Sequence, residues 1–399
     1  TNTGDADMSK KSDIVEKVLE AYKGALRHLP IKNTIIFESN PEFSCNTYPV
    51  YRYLIDKKHI DDKYKIVWLV ADPEKYKNSN LKNTEFLKYW DCTDSVRQKL
   101  KYHYIMTTSK ALIYCNRLLG KNRKDQFSFC LQHGMPLKRS NGSYCIKDDC
   151  DYCLCVSHFF ADIYSEDFKI SKDKMVFMGF PRTDYLYTDR DVRAEMGISG
   201  YDKVIVWLPT YRKHTAASSR GFNIETTNTG IPTINTEDEI KKVDSYLREN
   251  NILLILKPHP VQKIDKRIQA GLTNFKILTN DDLGEKNIQL YELLAKTDAL
   301  VTDYSSVYYD YLLTDKPIGL TVDDFKEYIK ARGFVYENPQ DILKGEYIND
   351  TDELIKFFED VKNGADPHLQ ERTAVKNKLH EIHDGSSAEK IGEFIISHI

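Results

Sequence analysis

Two histidines stand directly behind apolar runs. One is His133 in LQHGMPLKRS (131–140), the other His259 in LKPHP (256–260). Imidazole titrates near neutrality, so a histidine at a strand end can take the proton of a weakly acidic hydroxyl. Gly134 permits close backbone approach at the first turn, and Lys138 and Arg139 add positive charge there. Prolines 258 and 260 stiffen the backbone on both sides of His259. A structural histidine is the plainer reading of either residue. For His133, the Gly-x-Pro and the basic residues that follow favour a site.

Two more clusters carry anion-binding chemistry. LPTYRKH (208–214) places Thr210, Arg212, Lys213 and His214 behind a third apolar run. A guanidinium suits a planar, bidentate grip on phosphate oxygens, although a solvated basic loop would look the same. Lys257 precedes His259 and adds a further charge. VTDYSSVYYDY (301–311) puts Asp303, Ser305 and Ser306 where a strand should give way to a helix. Serine is a common helix cap. The same position also offers N–H groups and hydroxyls to an anion. The acidic pairs in DDCD (148–151) and at Asp323-Asp324 do not follow strong strands. No metal is therefore expected, and basic side chains and N–H groups are left to take up developing charge.

The elements that must position these residues alternate. Strand-like runs occur at 34–39, 65–71, 104–109, 127–133, 152–157 and 174–180, then at 204–210, 252–259, 299–305 and 317–322. Helical spacing marks 13–29, 236–250, 288–298 and 306–316. Runs such as ILLIL (252–256) are apolar throughout, as in a parallel sheet covered on both faces. The turn-rich, charged stretch 179–203 reads as a boundary, and the polar stretch 217–235 as a long loop or lid beside a site. All four polar clusters lie just behind strands, where ligands bind in open α/β sheets. The expected fold is α/β of the GT-B kind, with two Rossmann-like domains facing a cleft. Its expected parts are 1–190, 191–375, and C-terminal helices at 376–399 packing back on the first domain.

Bulk properties exclude other classes. Hydrophobic residues make up 41% of the 399-residue chain and charged residues 29%, enough for sizeable cores. The net charge of -3 gives no bulk attraction for nucleic acid. No run is apolar for long enough to span a bilayer. Of the eight cysteines, Cys145, Cys150, Cys153 and Cys155 lie close together, but their spacing matches no common zinc pattern, so core thiols are expected.

HGMPLK (133–138), GFPRTDYL (179–186), LPTYR (208–212), KPHP (257–260) and LVTDYSSVYYDY (300–311), in this order, resemble the CDP-glycerol glycerophosphotransferase family. These are teichoic-acid primases and polymerases, with relatives that transfer ribitol phosphate. The likeness runs over about 33 to 340 and includes NTIIFESNPEFSCNTYPVYRYL (33–54), whose loop departs from the family's usual Gly and Asn-Pro pattern. It implies transfer of glycerol phosphate or ribitol phosphate from CDP-glycerol or CDP-ribitol to a lipid-linked or polymer hydroxyl, with CMP leaving and no separate cofactor. It implies His133 as base on the acceptor side, with Gly134 and Lys138, and His259 across the cleft. Thr210, Arg212, Lys257, Asp303, Ser305 and Ser306 would hold the donor's phosphates. The enzyme would work in the cytoplasm, peripheral on the inner face of the membrane. Lys10, Lys11, Lys17, Lys23 and Arg27 of the first helix are available for docking there. A nucleotide-sugar glycosyltransferase of the same fold is the alternative, and a nucleotide-binding subunit without turnover is a third.

Overall fold

The computed structural model describes residues 18–140, 145–146, 150–210, 227, 229–258 and 271–399. Its strands form two sheets. The first contains β1 (Lys32–Glu38), β2 (Lys65–Val70), β3 (Thr84–Lys88), β4 (Ser109–Tyr114), β5 (Phe127–Cys130), β6 (Tyr152–Cys155) and β7 (Met175–Phe177). The second contains β8 (Lys203–Leu208), β9 (Ile252–Leu256), β10 (Phe275–Ile277), β11 (Ala299–Thr302), β12 (Ile318–Thr321) and β13 (Glu346–Ile348). The orders are β3-β2-β1-β4-β5-β6-β7 and β10-β9-β8-β11-β12-β13. Every pairing is parallel. Each order reverses direction once, between β1 and β4 and between β8 and β11. A crevice opens at such a reversal, outside the carboxyl ends of the strands.

Burial follows from the strand sequences. All of Ile252–Leu256 is buried, as is Val204–Leu208. Successive side chains of a strand point to opposite faces. Accordingly Val204, Val206 and Leu208 join the core that also holds the first sheet, while Ile205 and Trp207 pack on the other face with Phe357 and Phe358. One hydrophobic core therefore runs from the first sheet to one face of the second.

The segment 104–109, which has the aromatic and β-branched content of a strand, is mostly helical. A helix spans Val96–Thr108 and β4 begins at Ser109. Ser95 caps it by accepting from the Gln98 N–H, and Tyr102, Ile105 and Met106 give it a buried face at helical spacing. Short strands β3, β10 and β13 complete the sheet edges and have no strong apolar signal.

The chain ends on the first sheet. The helix Ser387–His398 packs against the helix Thr47–Asp56 and the turn Pro181–Tyr187. Its Gly392 lies against the Tyr53 ring, where an added Cβ would come within 2.4 Å of Cδ1. Phe394 packs edge-on to Tyr152, with ring centroids 4.9 Å apart. Among the described residues, no helix is long and apolar enough to cross a membrane.

Candidate functional site

A buried carboxylate laces each reversal point. In the second sheet, Asp303 follows β11 and is fully buried. It accepts from the Thr210 N–H at 2.8 Å and from the Thr210 hydroxyl at 3.0 Å. Thr210 and Asp303 thus tie the turn after β8 to the turn after β11, and they shape the site from below. In the first sheet, Glu38 ends β1 and accepts the N–H groups of Cys115, Asn116 and Arg117, just past β4, at 3.2, 3.0 and 3.1 Å. These donors favour the carboxylate, but burial outweighs them and pushes Glu38 up to about 7.

This lacing reaches His133. The Cys115 carbonyl lies 3.3 Å from His133 Nδ1. A carbonyl can only accept, so Nδ1 carries the proton and Nε2 is the basic nitrogen. The imidazole is solvent-exposed, on a turn reached through Gln132 in the left-handed region, at φ 55°.

The next residue brings the two sheets together. A Cβ on Gly134 would stand 2.8 Å from Ser306 Oγ, so the glycine lets the His133 turn close onto the Asp303–Ser306 turn. Ser305 and Ser306 differ in their local bonding. The Ser305 hydroxyl accepts from the Val307 N–H at 3.4 Å, whereas Ser306, at the cap position, makes no side-chain cap bond. The helix they open spans only Val307–Tyr311. Its dipole is correspondingly small, so local hydroxyl and N–H groups, and not a long helix, are what this turn can offer an anion.

Lys257 directly follows β9, which pairs with β8, and so stands one strand along from Thr210. It is half-buried, and burial holds its ammonium below the ordinary lysine range. No acidic group among the described residues offsets that shift. A half-buried ammonium with its pKa lowered in this way is suited to an anionic ligand. Lys138 packs over the Tyr328 ring, 6.0 Å from its centroid, and its backbone bridges to Phe334, so it joins the two halves beside the cleft. Arg212 and His259 lie outside the described residues. Cys150, Cys153 and Cys155 are buried, and no group of three or more metal-ligating side chains occurs among the described residues.

Three residues near the site carried weak sequence signals. Glu38 is the lone acid at the end of an apolar run, and Asn46 lies in an irregular loop. Arg182, inside GFPRTDYL, is almost fully buried, with its guanidinium on the His133 carbonyl. An arginine directly behind Phe-Pro in a turn-rich motif is the readable hint.

A profile of the CDP-Glycerol:Poly(glycerophosphate) glycerophosphotransferase family matches residues 21–397. The chain belongs to that family. This glycerophosphotransferase is a transferase, and its reaction is transfer of an alditol phosphate from a CDP-activated donor. It is 24% identical over 392 residues to a teichoic acid poly(glycerol phosphate) polymerase of Bacillus spizizenii, covering 91% of each chain. It is also 24% identical over 405 residues to a teichoic acid glycerol-phosphate transferase of Staphylococcus aureus, covering 93% of this chain and 94% of that one. The solved structure of the wall teichoic acid polymerase TagF matches with a TM-score of 0.71 at 20% identity, over 99% of this chain and 98% of that chain. A UDP-GlcNAc 2-epimerase from Methanocaldococcus jannaschii matches with a TM-score of 0.51 at 13% identity, over 92% of this chain and all of that one. The two-sheet glycerophosphotransferase fold is thus GT-B-like.

Proposed function

We propose that His133 is the general base of a transfer in which an acceptor hydroxyl attacks the alditol-bearing phosphorus of a CDP-alditol. The acceptor oxygen forms a bond to that phosphorus as the bond to the bridging oxygen breaks. CMP leaves, and the hydroxyl proton passes to His133 Nε2. An alcohol is a poor nucleophile at neutral pH, and a placed base of this kind contributes about 10²–10⁴-fold.

One observation supports this reading most: the His133 turn of one sheet is closed by Gly134 onto Ser306 of the other. A base from the first half would then stand beside the Ser306 turn of the second. Ser306 and Lys257, with Arg212 and His259, would take the phosphates and the charge on departing CMP. Thr210 and Asp303 would hold the turns that present them. Ser305 would serve chiefly as local cap, while Gly134 and Lys138 line the acceptor side.

The acceptor would be the hydroxyl end of a polymer or of a lipid-linked starter, as the names of the polymerase and transferase relatives suggest. Such an acceptor would place the enzyme at the cytoplasmic face of the membrane. A donor panel tests the reading. CDP-glycerol, CDP-ribitol and a UDP-sugar are each offered with an acceptor, and nucleotide release is measured. CMP from a CDP-alditol is expected. UDP release from the sugar donor, with none from the CDP-alditols, would reverse the assignment.

A further inference from the structure

We propose that Arg182, Asp310 and Asn46 form a positioning strut that sets the His133 turn against Ser306, across the two sheets. The inference rests on the role given to His133 above.

Three consecutive carbonyls lead into the His133 turn, and each is held by one of these side chains. Asn46 Nδ2 donates to Leu131 O at 3.1 Å and to Gln132 O at 2.8 Å. Arg182 Nη1 donates to His133 O. The two residues are themselves joined, since Asn46 Oδ1 accepts from the Arg182 backbone N–H at 3.2 Å. The clamp surrounds Gln132, whose left-handed backbone gives the turn its direction and is uncommon for a residue with a Cβ.

The other end of the strut is in the second half. Arg182 Nη2 donates to Asp310 Oδ2 at 2.6 Å, and the Tyr291 hydroxyl donates to the same oxygen at 2.5 Å. Asp310 lies on the short helix that Ser306 opens. The guanidinium packs 5.3 Å from the Tyr291 ring centroid and 5.0 Å from that of Phe180. The path from the Ser306 helix to the His133 carbonyl is therefore two hydrogen bonds long, buried at Asp310 and partly buried at His133.

Stability alone gives little reason for this arrangement. A buried ion pair is often no better than apolar residues of the same volume. This one also leaves Arg182 Nε and Asp310 Oδ1 without partners among the described residues. What the planar guanidinium does supply is direction, because two of its N–H groups point at once to His133 O and to Asp310. Lysine keeps the charge and loses that fork. Arg182 is thus a positioning residue, acting through the His133 backbone.

The test uses the full chain and counts CMP released from CDP-glycerol by wild type, Arg182→Lys and Tyr291→Phe. It also uses His133→Ala alone and combined with Arg182→Lys. CDP affinity is measured by calorimetry and folding by thermal melting. Arg182→Lys should lower kcat by about 100-fold, the scale of a misplacement near 1 Å, with KM for CDP-glycerol and CDP affinity within about twofold. In the His133→Ala background the same change should cost nothing further, because the residue it positions is gone. Tyr291→Phe, which removes one hydroxyl and keeps the ring, should show the same split at smaller size, and it decides the matter if Arg182→Lys does not fold. Unchanged kcat in a folded Arg182→Lys or Tyr291→Phe protein would overturn the strut, as would an equal loss with and without His133. A wild-type protein that releases no CMP would instead remove the functional reading on which the strut rests.

Discussion

His133→Ala should cut turnover by about 10²–10⁴-fold while CDP still binds, because the base acts on the acceptor and not on the nucleotide. Calorimetric loss of CDP binding in that variant would move His133 to the donor side. The two serines should separate. Ser305 already accepts from the Val307 N–H, so Ser306→Ala is expected to weaken donor binding more than Ser305→Ala. The difference should approach the roughly 1.5–3 kcal/mol of a hydrogen bond to a charged group. Lys257 supplies a pH signature. Burial lowers its pKa, so its charge is lost at lower pH than an ordinary lysine's, and KM for the donor should rise early on the alkaline side. Lys257→Met should raise KM and abolish that limb in a steady-state pH profile. At this scale the sequence marks candidate residues, since polar groups behind apolar runs are conspicuous. It does not disclose that Asp303 accepts from Thr210, because that pairing spans 93 positions.

The elements explain why a glycine follows His133. Gly134→Ala puts a methyl group against the Ser306 hydroxyl, so the two turns must part. Activity should fall while melting stays near the wild-type value, since the residue lies at a loop contact and not in the core. A second element-scale prediction concerns Asp184, which holds the start of the C-terminal helix by accepting from the Ser387 and Ala388 N–H groups at 3.1 and 2.7 Å. Asp184→Ala should cost about 1 kcal/mol, the usual worth of such a cap. Burial pushes this carboxyl up to about 6 from its ordinary 3.8. A raised pKa means that its contribution is largest below the unfolded value and declines as pH rises through about 6. The gap in melting temperature between wild type and Asp184→Asn should therefore narrow from acidic to neutral pH. Long apolar strands and capped helices are readable as elements, as Thr236 before the helix Glu237–Glu249 shows. The run 104–109 was misread because its residue types suit a strand, whereas Ser95 and the buried spacing behind it fix a helix.

Over the whole molecule, one strand order used twice places two reversal points face to face, and a shared core holds them there. Alternation of strands and helices announced the α/β class, and the ordered motifs announced the family. The sheet order and the closure of Gly134 onto Ser306 were not legible, because they depend on contacts between distant parts of the chain. In this reaction the alditol leaves the donor together with its phosphate. The identity of the departing nucleotide tests this most directly, measured by mass spectrometry with CDP-glycerol and an acceptor. CMP is expected, with glycerol phosphate gained by the acceptor. Release of CDP, with glycerol alone transferred, would contradict it.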